Sequence, residues 1–477
     1  MEVIRSRSSD TGEGAIFQCP MMKKFGLRSD SSEDSSILQK RGFILSTSFN
    51  GLSTPSVKFN KDMNQCLRNN NNNYCHSTTD FTYHDSMKRE SLITSTEDSV
   101  INDAHTVAAS ERMRQIFEGL NEHGDSQNPP EMPPWLDLER FNLGRKFYEK
   151  YLFCIFFADL LSLLMMFSVS RVLRPLIYTD RSDTPMKAMR RYVSTICHII
   201  TWFTGDVWNP NDHAHKDILK VRSIHNKSSN ILNSSVTYDH LKTLTVQDKG
   251  HKEPSCPFSP AIRHDLQTQT RRGLPLESDD ITTFYISQWD MVLTQYAFLG
   301  LILAHPYQMG AWYVKEKELD GLVHFWRGIG WLLGIEDKYN FCNGTLAETR
   351  ALCNEMEKLV MIPSLSKADW NHEHMSTSLI DGINFMVPLL AFPSMFRFLT
   401  DTLGVSVPAF IKNMNREQLF RYWLLRFVFH ILFIIPGVIF LFNQLLKLSL
   451  QLIQKQRPSW VPNSIGPIVT ATPFEYT

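Results

Sequence analysis

Residues 184–205, "TPMKAMRRYVSTICHIITWFTG", carry the start and stop signals of a helix. Thr184 is a preferred N-cap residue, and Pro185 fits the first turn because an N–H would have no partner there. Gly205 stands where glycine commonly follows the last helical turn. The stretch therefore predicts one helix that begins after Thr184 and ends at Gly205.

Helical patterning continues on both sides of this stretch. A helix is predicted from the cap residue Asp137 into the apolar run at 151–171, and another at about Asp212–Lys227. Apolar residues again recur at helical spacing after residue 284, whereas long Val/Ile/Thr alternation and Asn-Gly hairpins are missing. We therefore predict an all-α fold.

Composition divides the 477 residues into regions. The first hundred residues are rich in Ser, Asn, Asp and Thr without a sustained period, which is typical of disorder. One polar stretch within the apolar part is too long for an ordinary connection, so it is predicted to be a loop or an insertion. The predicted regions are a disordered segment (1–105), a linker (106–135), a single large helical domain (136–415), the loop or insertion (228–280) and a tail (447–477).

Charge and motif content argue against several function classes. The 49 basic and 49 acidic residues balance, and no basic stripe interleaved with aromatic residues stands out, so nucleic-acid binding is not expected. The eight cysteines are scattered without a CxxC pair, which disfavours a structural zinc site and a dense disulfide scaffold. HExxH, GxSxG and glycine-rich phosphate-loop motifs are missing as well.

Two apolar runs raise the question of membrane association. The run "LLRFVFHILFIIPGVIFLFNQLL" (424–446) has the roughly 20 residues that a bilayer crossing requires, so 423–446 is a candidate membrane-associated helix, as a span or an interfacial hairpin. A buried helix of a large α-protein is the alternative. The run 151–169 carries Asp159, whose insertion costs about 3 kcal/mol, so we expect a core or pocket-lining helix with a partner for this carboxylate. The N-terminus lacks the apolar region of a secretory signal.

The segment "KVRSIHNK" (220–227) places a histidine where an apolar residue is expected. Read at helical spacing, Ile218, Val221, Arg222 and His225 share one face of the predicted helix. The imidazole therefore belongs either to a packed core or to the wall of a pocket whose ligand needs a nitrogen donor.

The preceding helix offers a matching polar face. Arg191, Thr195 and His198 recur at i, i+4 and i+7, and Arg222 lies one turn before His225 on the next helix. This inventory suits a haem, because a neutral imidazole binds iron and guanidinium groups hold propionates. A satisfied core histidine and an internal ion pair are the structural alternatives.

Four motifs, taken in order and spacing, resemble the catalytic domain of endoplasmic-reticulum-bound oxygenases and rubber oxygenases, the latex-clearing protein family. The resemblance covers about residues 130–400. The motifs are "RYVST" (191–195), "VRSIH" (221–225), "ISQWDMVLTQYAF" (286–298) and "FWRGIGWLLGIEDKYNFC" (325–342).

The resemblance implies an all-α fold with a globin-like core around haem b, and cleavage of carbon–carbon double bonds of isoprenoids with dioxygen. It implies His225 as the proximal iron ligand, with Arg191 and Thr195 on the distal side. Arg222 would then support the proximal side and Arg327 would be a second propionate partner.

Two departures from the family pattern concern the distal side. Ser194 stands where rubber oxygenases have a lysine, and the segment upstream of Arg191 lacks a clear match for their proposed glutamate base. His198 is a candidate distal ligand, which would give a bis-histidine iron.

Three hypotheses follow from these observations. The first is a membrane-associated, haem b-dependent oxygenase that acts on a small lipophilic substrate with dioxygen. The endoplasmic reticulum is the location that this hypothesis suggests. The second is a non-catalytic haem-binding redox or sensor protein. The third is a structural helical protein without a cofactor, whose polar residues satisfy one another.

Overall fold

Helices make up the regular structure of this protein. The computed structural model describes residues 109–455, apart from 256, 271–272 and 275–283. The helices are α1 (Glu111–Glu118), α2 (Leu138–Met166), α3 (Ser170–Tyr178), α4 (Pro185–Thr204), α5 (His213–Leu232), α6 (Ser235–Thr243), α7 (Ser259–Gln267), α8 (Gln288–Ala304), α9 (Glu316–Leu332), α10 (Leu346–Met356), α11 (Ile362–Leu365), α12 (Trp370–Ile383), α13 (Phe392–Thr402), α14 (Pro408–Asn413), α15 (Arg416–His430) and α16 (Val438–Lys455).

The all-α prediction is confirmed for the described part of the chain. There, an isolated bridge between His123 and Ser287 is the only β-type pairing. The predicted disordered region, 1–105, lies outside the described residues. Of the predicted tail, 447–477, residues 447–455 belong to α16, and the others lie outside the described residues.

The helices α2 and α4 begin where the sequence predicted. The helix α4 has Thr184 as its N-cap, Pro185 in its first turn and Gly205 after its last residue. The carboxylate of Asp137 accepts hydrogen bonds from two backbone N–H groups at the start of α2. The end of α5 was predicted wrongly, because the helix continues five residues beyond Lys227 through a run of polar side chains.

The helix α2 forms the centre of the fold. Of its 29 residues, 18 are buried, which identifies a core helix with apolar residues on every side. It packs against α8, α9 and α16. At its crossing with α9 two glycines meet: a Cβ on Gly144 would come within 2.6 Å of the Phe325 Cβ, and one on Gly321 within 2.6 Å of the Leu143 Cβ.

The acid within this core helix lacks the partner that the sequence led us to expect. The Oδ1 atom of Asp159 is buried and has no hydrogen-bond partner within the described structure. Burial raises the pKa of Asp159 well above its ordinary value. Burial thus favours the neutral, protonated form of this carboxyl group, which avoids the cost of burying an unpaired charge.

The stretch 228–280, predicted to be a loop or an insertion, is partly helical. Its described residues contain α6, a short 3₁₀ helix (Gln247–Lys249) and α7. The carboxylate of Glu373 accepts backbone hydrogen bonds at the start of α7, and Asp265 of α7 accepts two from the start of α14. These bonds fasten the segment to the domain.

The apolar run 424–446 does not form the single spanning helix that was one of its predicted forms. The helix α15 ends at His430, a 3₁₀ turn covers Leu432–Ile434, and α16 begins at Val438. The break contains Pro436, which cannot donate a backbone hydrogen bond, and Gly437, whose φ is +87°. The run is therefore two helices joined by a short break.

No individual helix in the described ranges combines the length and the hydropathy of a membrane span. Together α2 and α3 meet those criteria, but the pair is bent by 98°.

Candidate functional site

The two helices that carry the predicted site residues pack directly against each other. The helix α4 contacts both α5 and α12. Its end lies close to the start of α5, because a Cβ on Gly205 would come within 2.6 Å of the Ala214 Cβ. Asp212 caps α5 by accepting a hydrogen bond from the Ala214 N–H. The polar faces predicted on the two helices therefore lie in one region of the fold.

A buried carboxylate connects α4 and α5. Asp217 of α5 is fully buried, and its Oδ2 atom lies 2.8 Å from Nδ1 of His198 and 2.9 Å from Nε1 of Trp202. Because an ionised carboxylate only accepts hydrogen bonds, Nδ1 of His198 is the donor. The lone pair of a neutral His198 is then on Nε2, which is the tautomer of metal-binding and base histidines oriented by a carboxylate.

Asp217 was not predicted from the sequence, although a signal for it exists. It lies four residues before Val221 and eight before His225, so it belongs to the helix face that the sequence had already identified. A carboxylate on this face is the natural partner for a histidine on the facing helix.

His225 lies in the same region with one ring nitrogen unsatisfied. The residue is partly buried, and its Nδ1 atom is enclosed without a hydrogen-bond partner in the described structure. Burial, the positive charge of Arg191 and the proximity of His198 lower the pKa of His225 to about 4. The imidazole is therefore neutral at pH 7 and keeps a lone pair available.

Arg191 lies close enough to His225 to influence its pKa, but it lacks an anionic partner. Its Nη1 atom donates to the Thr179 hydroxyl over 3.2 Å. No carboxylate of the described residues lies within ion-pair distance of this guanidinium, and burial lowers its pKa. A partly buried cation without a counter-ion is unusual and favours an anionic ligand nearby.

Thr195 is partly buried on the same face of α4. Its hydroxyl donates to the Arg191 carbonyl over 3.1 Å, which is a common bond for threonine within a helix. The hydroxyl oxygen keeps lone pairs for a further donor. Ser194 is also partly buried.

Arg222 lies elsewhere and is engaged by the segment before α2. Its Nε atom donates to Asp125 over 3.0 Å and its Nη1 atom to the Asn128 carbonyl over 2.8 Å. These residues border a surface cavity of about 370 Å³ that does not include His225. The ion pair with Asp125 occupies the guanidinium that was expected to support the proximal side.

Arg327 is likewise paired at a different place. Its Nη2 atom lies 2.7 Å from the Asp337 carboxylate, and the guanidinium stacks over Trp135 at 4.0 Å from the ring centroid. Of the predicted residues, the structure thus brings together Arg191, His198 and His225, and it holds Arg327 in an ion pair of its own.

The region offers a neutral imidazole, an unpaired guanidinium and a carboxylate-oriented histidine. Across the described ranges, no group of three or more His, Cys, Asp or Glu side chains is arranged to hold a metal ion. Haem requires only one or two axial protein ligands, because the porphyrin supplies the remaining nitrogen donors.

Comparison of the chain with family models, with curated proteins and with solved structures finds no match. The oxygenase resemblance therefore rests on the four short motifs alone and stays a prediction.

Proposed function

We propose that this chain binds haem b at α4 and α5 and acts as an oxygenase on a lipophilic substrate, for which the motif resemblance suggests an isoprenoid. The observation that carries the proposal is His225, a neutral imidazole beside a cation without a counter-ion. A neutral imidazole is the form that ligates iron. His225 would hold the iron. Arg191, which lacks an anionic partner in the described structure, would bind a carboxylate of the porphyrin.

The fit is partial, because two predicted partners are already engaged. Arg222 is paired with Asp125 and Arg327 with Asp337, so neither is assigned to a propionate. Haem, when bound, supplies the redox chemistry with dioxygen that protein side chains do not provide. Arg191 contributes a fixed positive charge, which stabilises negative charge that develops nearby.

A non-catalytic haem-binding redox or sensor role is the second candidate. His198 favours it, because the buried Asp217 fixes its ring and directs the Nε2 lone pair away from the carboxylate. Two imidazoles on one iron leave no open position for substrate or dioxygen, a state typical of electron transfer.

An ultraviolet–visible spectrum of the full-length, haem-supplied protein tests both candidates. We expect a Soret band in the wild type and at least about tenfold weaker haem binding in His225→Ala. Added imidazole should restore the spectrum of this variant, because the free base occupies the vacated ligand position. His324→Ala, which removes a buried histidine of α9, is the matched control and should keep the wild-type spectrum.

The His198→Ala variant separates the two candidates. A six-coordinate, low-spin wild type that becomes five-coordinate in this variant supports the sensor role. A five-coordinate wild type that consumes dioxygen on addition of an isoprenoid supports the oxygenase. Absence of a Soret band in folded, haem-supplied protein, or a band unchanged in His225→Ala, would contradict haem ligation by His225.

A further inference from the structure

The C-terminal hairpin, defined as residues 416–455, presents large apolar side chains to the outside. Among the described residues, 22 large hydrophobic side chains are exposed, and 11 of them belong to these 40 positions. Phe420, Trp423 and Phe440 are each at least 60% exposed. Such a concentration within one segment marks an interaction site rather than ordinary scattered exposure.

These side chains form one outer face on each helix of the hairpin. On α16, Leu441, Leu445, Leu448 and Leu452 recur at i, i+4, i+7 and i+11. The opposite face is buried, with Leu446 and Leu450 in the core, and α16 packs on α2. A helix that is apolar on both faces requires an apolar medium or partner outside.

Polar contacts with the domain fix the orientation of the hairpin. Trp312 Nε1 donates to the Phe429 carbonyl over 2.8 Å, and the Tyr313 hydroxyl donates to the Ile434 carbonyl over 2.6 Å. These bonds satisfy carbonyl groups at the break between the helices. Hydrogen-bonded carbonyl groups at this turn suit an apolar environment, because an unpaired backbone group is costly there.

Asn443 holds α16 at a kink in α2. Its Oδ1 atom accepts from the Phe153 N–H over 2.9 Å, and its Nδ2 atom donates to the Lys150 carbonyl over 2.8 Å. The kink lies at Tyr151, whose φ of −119° and ψ of 27° interrupt the helical backbone. The hairpin is therefore an integral part of the domain, and its outer face is held in one direction.

The distribution of charged residues along the hairpin indicates which apolar environment its outer face contacts. Residues 427–446 contain no Asp, Glu, Lys or Arg. The whole hairpin has five basic residues against one acidic residue, Glu417, which is a net charge of +4. A groove of about 470 Å³ beside the uncharged segment is lined by three lysines against one acidic residue, Glu149, as well as by apolar side chains; the lysines are Lys146, Lys150 and Lys447. An apolar face bordered by basic residues is complementary to an anionic lipid surface.

We propose that the C-terminal hairpin docks on the surface of a bilayer that contains anionic phospholipid, with its uncharged segment in the interfacial region and its basic residues at the phosphates. The helices of 15 and 18 residues are shorter than the roughly 20 residues of a span, which favours a position within one leaflet. Trp423 suits the boundary between headgroups and acyl chains. The proposal is independent of haem binding.

Co-flotation of the full-length protein with vesicles tests the proposal. We expect binding to vesicles that contain phosphatidylserine and weaker binding to phosphatidylcholine alone. The variant Ile435→Asp/Phe440→Asp should bind at least about tenfold more weakly, because it places charge in the inserted segment. Raising salt from about 0.1 M to about 0.5 M should also weaken binding.

A matched control places the same charges outside the hairpin. Val236 and Met132 are 83% and 43% exposed, so Val236→Asp/Met132→Asp should bind vesicles as the wild type does. Equal loss in both double variants, or unchanged binding in the hairpin variant, would overturn the proposal. A second result would also overturn it: the wild type does not bind vesicles but forms a dimer in sedimentation velocity, and the hairpin variant is monomeric. The outer face would then bind a second copy of the chain.

Discussion

The Asp217 carboxylate accepts hydrogen bonds from two residues of α4, His198 and Trp202, while it is itself fully buried. Such a group is retained only where donors compensate the loss of hydration. The neighbouring His225 and Arg191 are different, since one has an unsatisfied ring nitrogen and the other lacks an anion. At the residue scale, the site thus combines a satisfied pair with two groups that remain available to a ligand.

Removal of the Asp217 carboxylate should destabilise the fold whether or not a ligand binds. Asp217→Ala leaves the His198 and Trp202 donors without their acceptor, which costs on the order of 3 kcal/mol of unfolding free energy. Asp239→Ala, at an exposed carboxylate on α6, is the control and should change stability by less than about 0.5 kcal/mol. Urea unfolding of the three proteins measures the difference, and equal midpoints would contradict the role of Asp217.

At the element scale, the crossing of α2 and α9 depends on two glycines. Intrinsic helix propensity favours Ala over Gly by about 1 kcal/mol within a helix. At Gly144 this preference is opposed by the α9 backbone, because an added Cβ would come within 2.6 Å of the Phe325 Cβ and closer still to the Gly321 carbonyl oxygen. Packing should win, since backbone atoms cannot move aside as a flexible side chain can.

The variant Gly144→Ala is therefore expected to lose about 1–3 kcal/mol of unfolding free energy despite its better helix propensity. Gly344→Ala is a control outside the helices, because its Cβ would meet only the Glu348 side chain, at 3.1 Å, and no backbone atom. Thermal or urea unfolding of both variants decides between packing and propensity. A Gly144→Ala protein more stable than the wild type would show that the helices separate readily at this crossing.

At the scale of the whole molecule, buried neutral histidines link stability to pH. Burial is the largest cause that lowers the pKa of His324 and of His372 to about 4, from an ordinary value of 6.5. The unfolded chain therefore binds more protons than the folded one between these values. Their contribution to stability is fully present above about pH 6.5 and is lost as the pH falls towards 4.

We expect the urea midpoint to decrease from pH 7 to pH 5, with a smaller decrease in the variant His324→Gln/His372→Gln. Glutamine keeps a donor and an acceptor of similar reach but does not titrate. Carboxylates with a lowered pKa affect stability only at lower pH. In Asp183, for example, hydrogen bonds from His251 and Lys187 outweigh the effect of burial and lower the pKa to about 2. An equal pH dependence in wild type and variant would assign the effect to groups other than these histidines.

The sequence by itself determined the helical class and the starts of α2, α4 and α5. Asp137 makes the predicted capping bonds, Thr184 stands at the predicted N-cap position of α4, and α5 begins next to Asp212 as expected, because helix starts are decided by side chains and backbone groups within a few residues. Periodicity likewise placed Arg191 and His198 on one face of α4. Helix ends without a strong stop signal were less certain, as the extension of α5 beyond Lys227 shows.

Only the tertiary structure decided which polar groups meet. The partners of Arg222 and Arg327 lie in segments whose approach depends on the packing of the whole domain. The break at Pro436 likewise separates α15, which packs on α13, from α16, which packs on α2. Asp217 lies on a helix face that the sequence predicted. Its hydrogen bond to His198, however, is evident only when α4 and α5 are placed together. The physical reason is the distance along the chain over which each effect acts. Caps and periodicity involve residues within one or two helical turns, whereas burial, ion pairing and pKa values depend on atoms that only the folded chain brings close together.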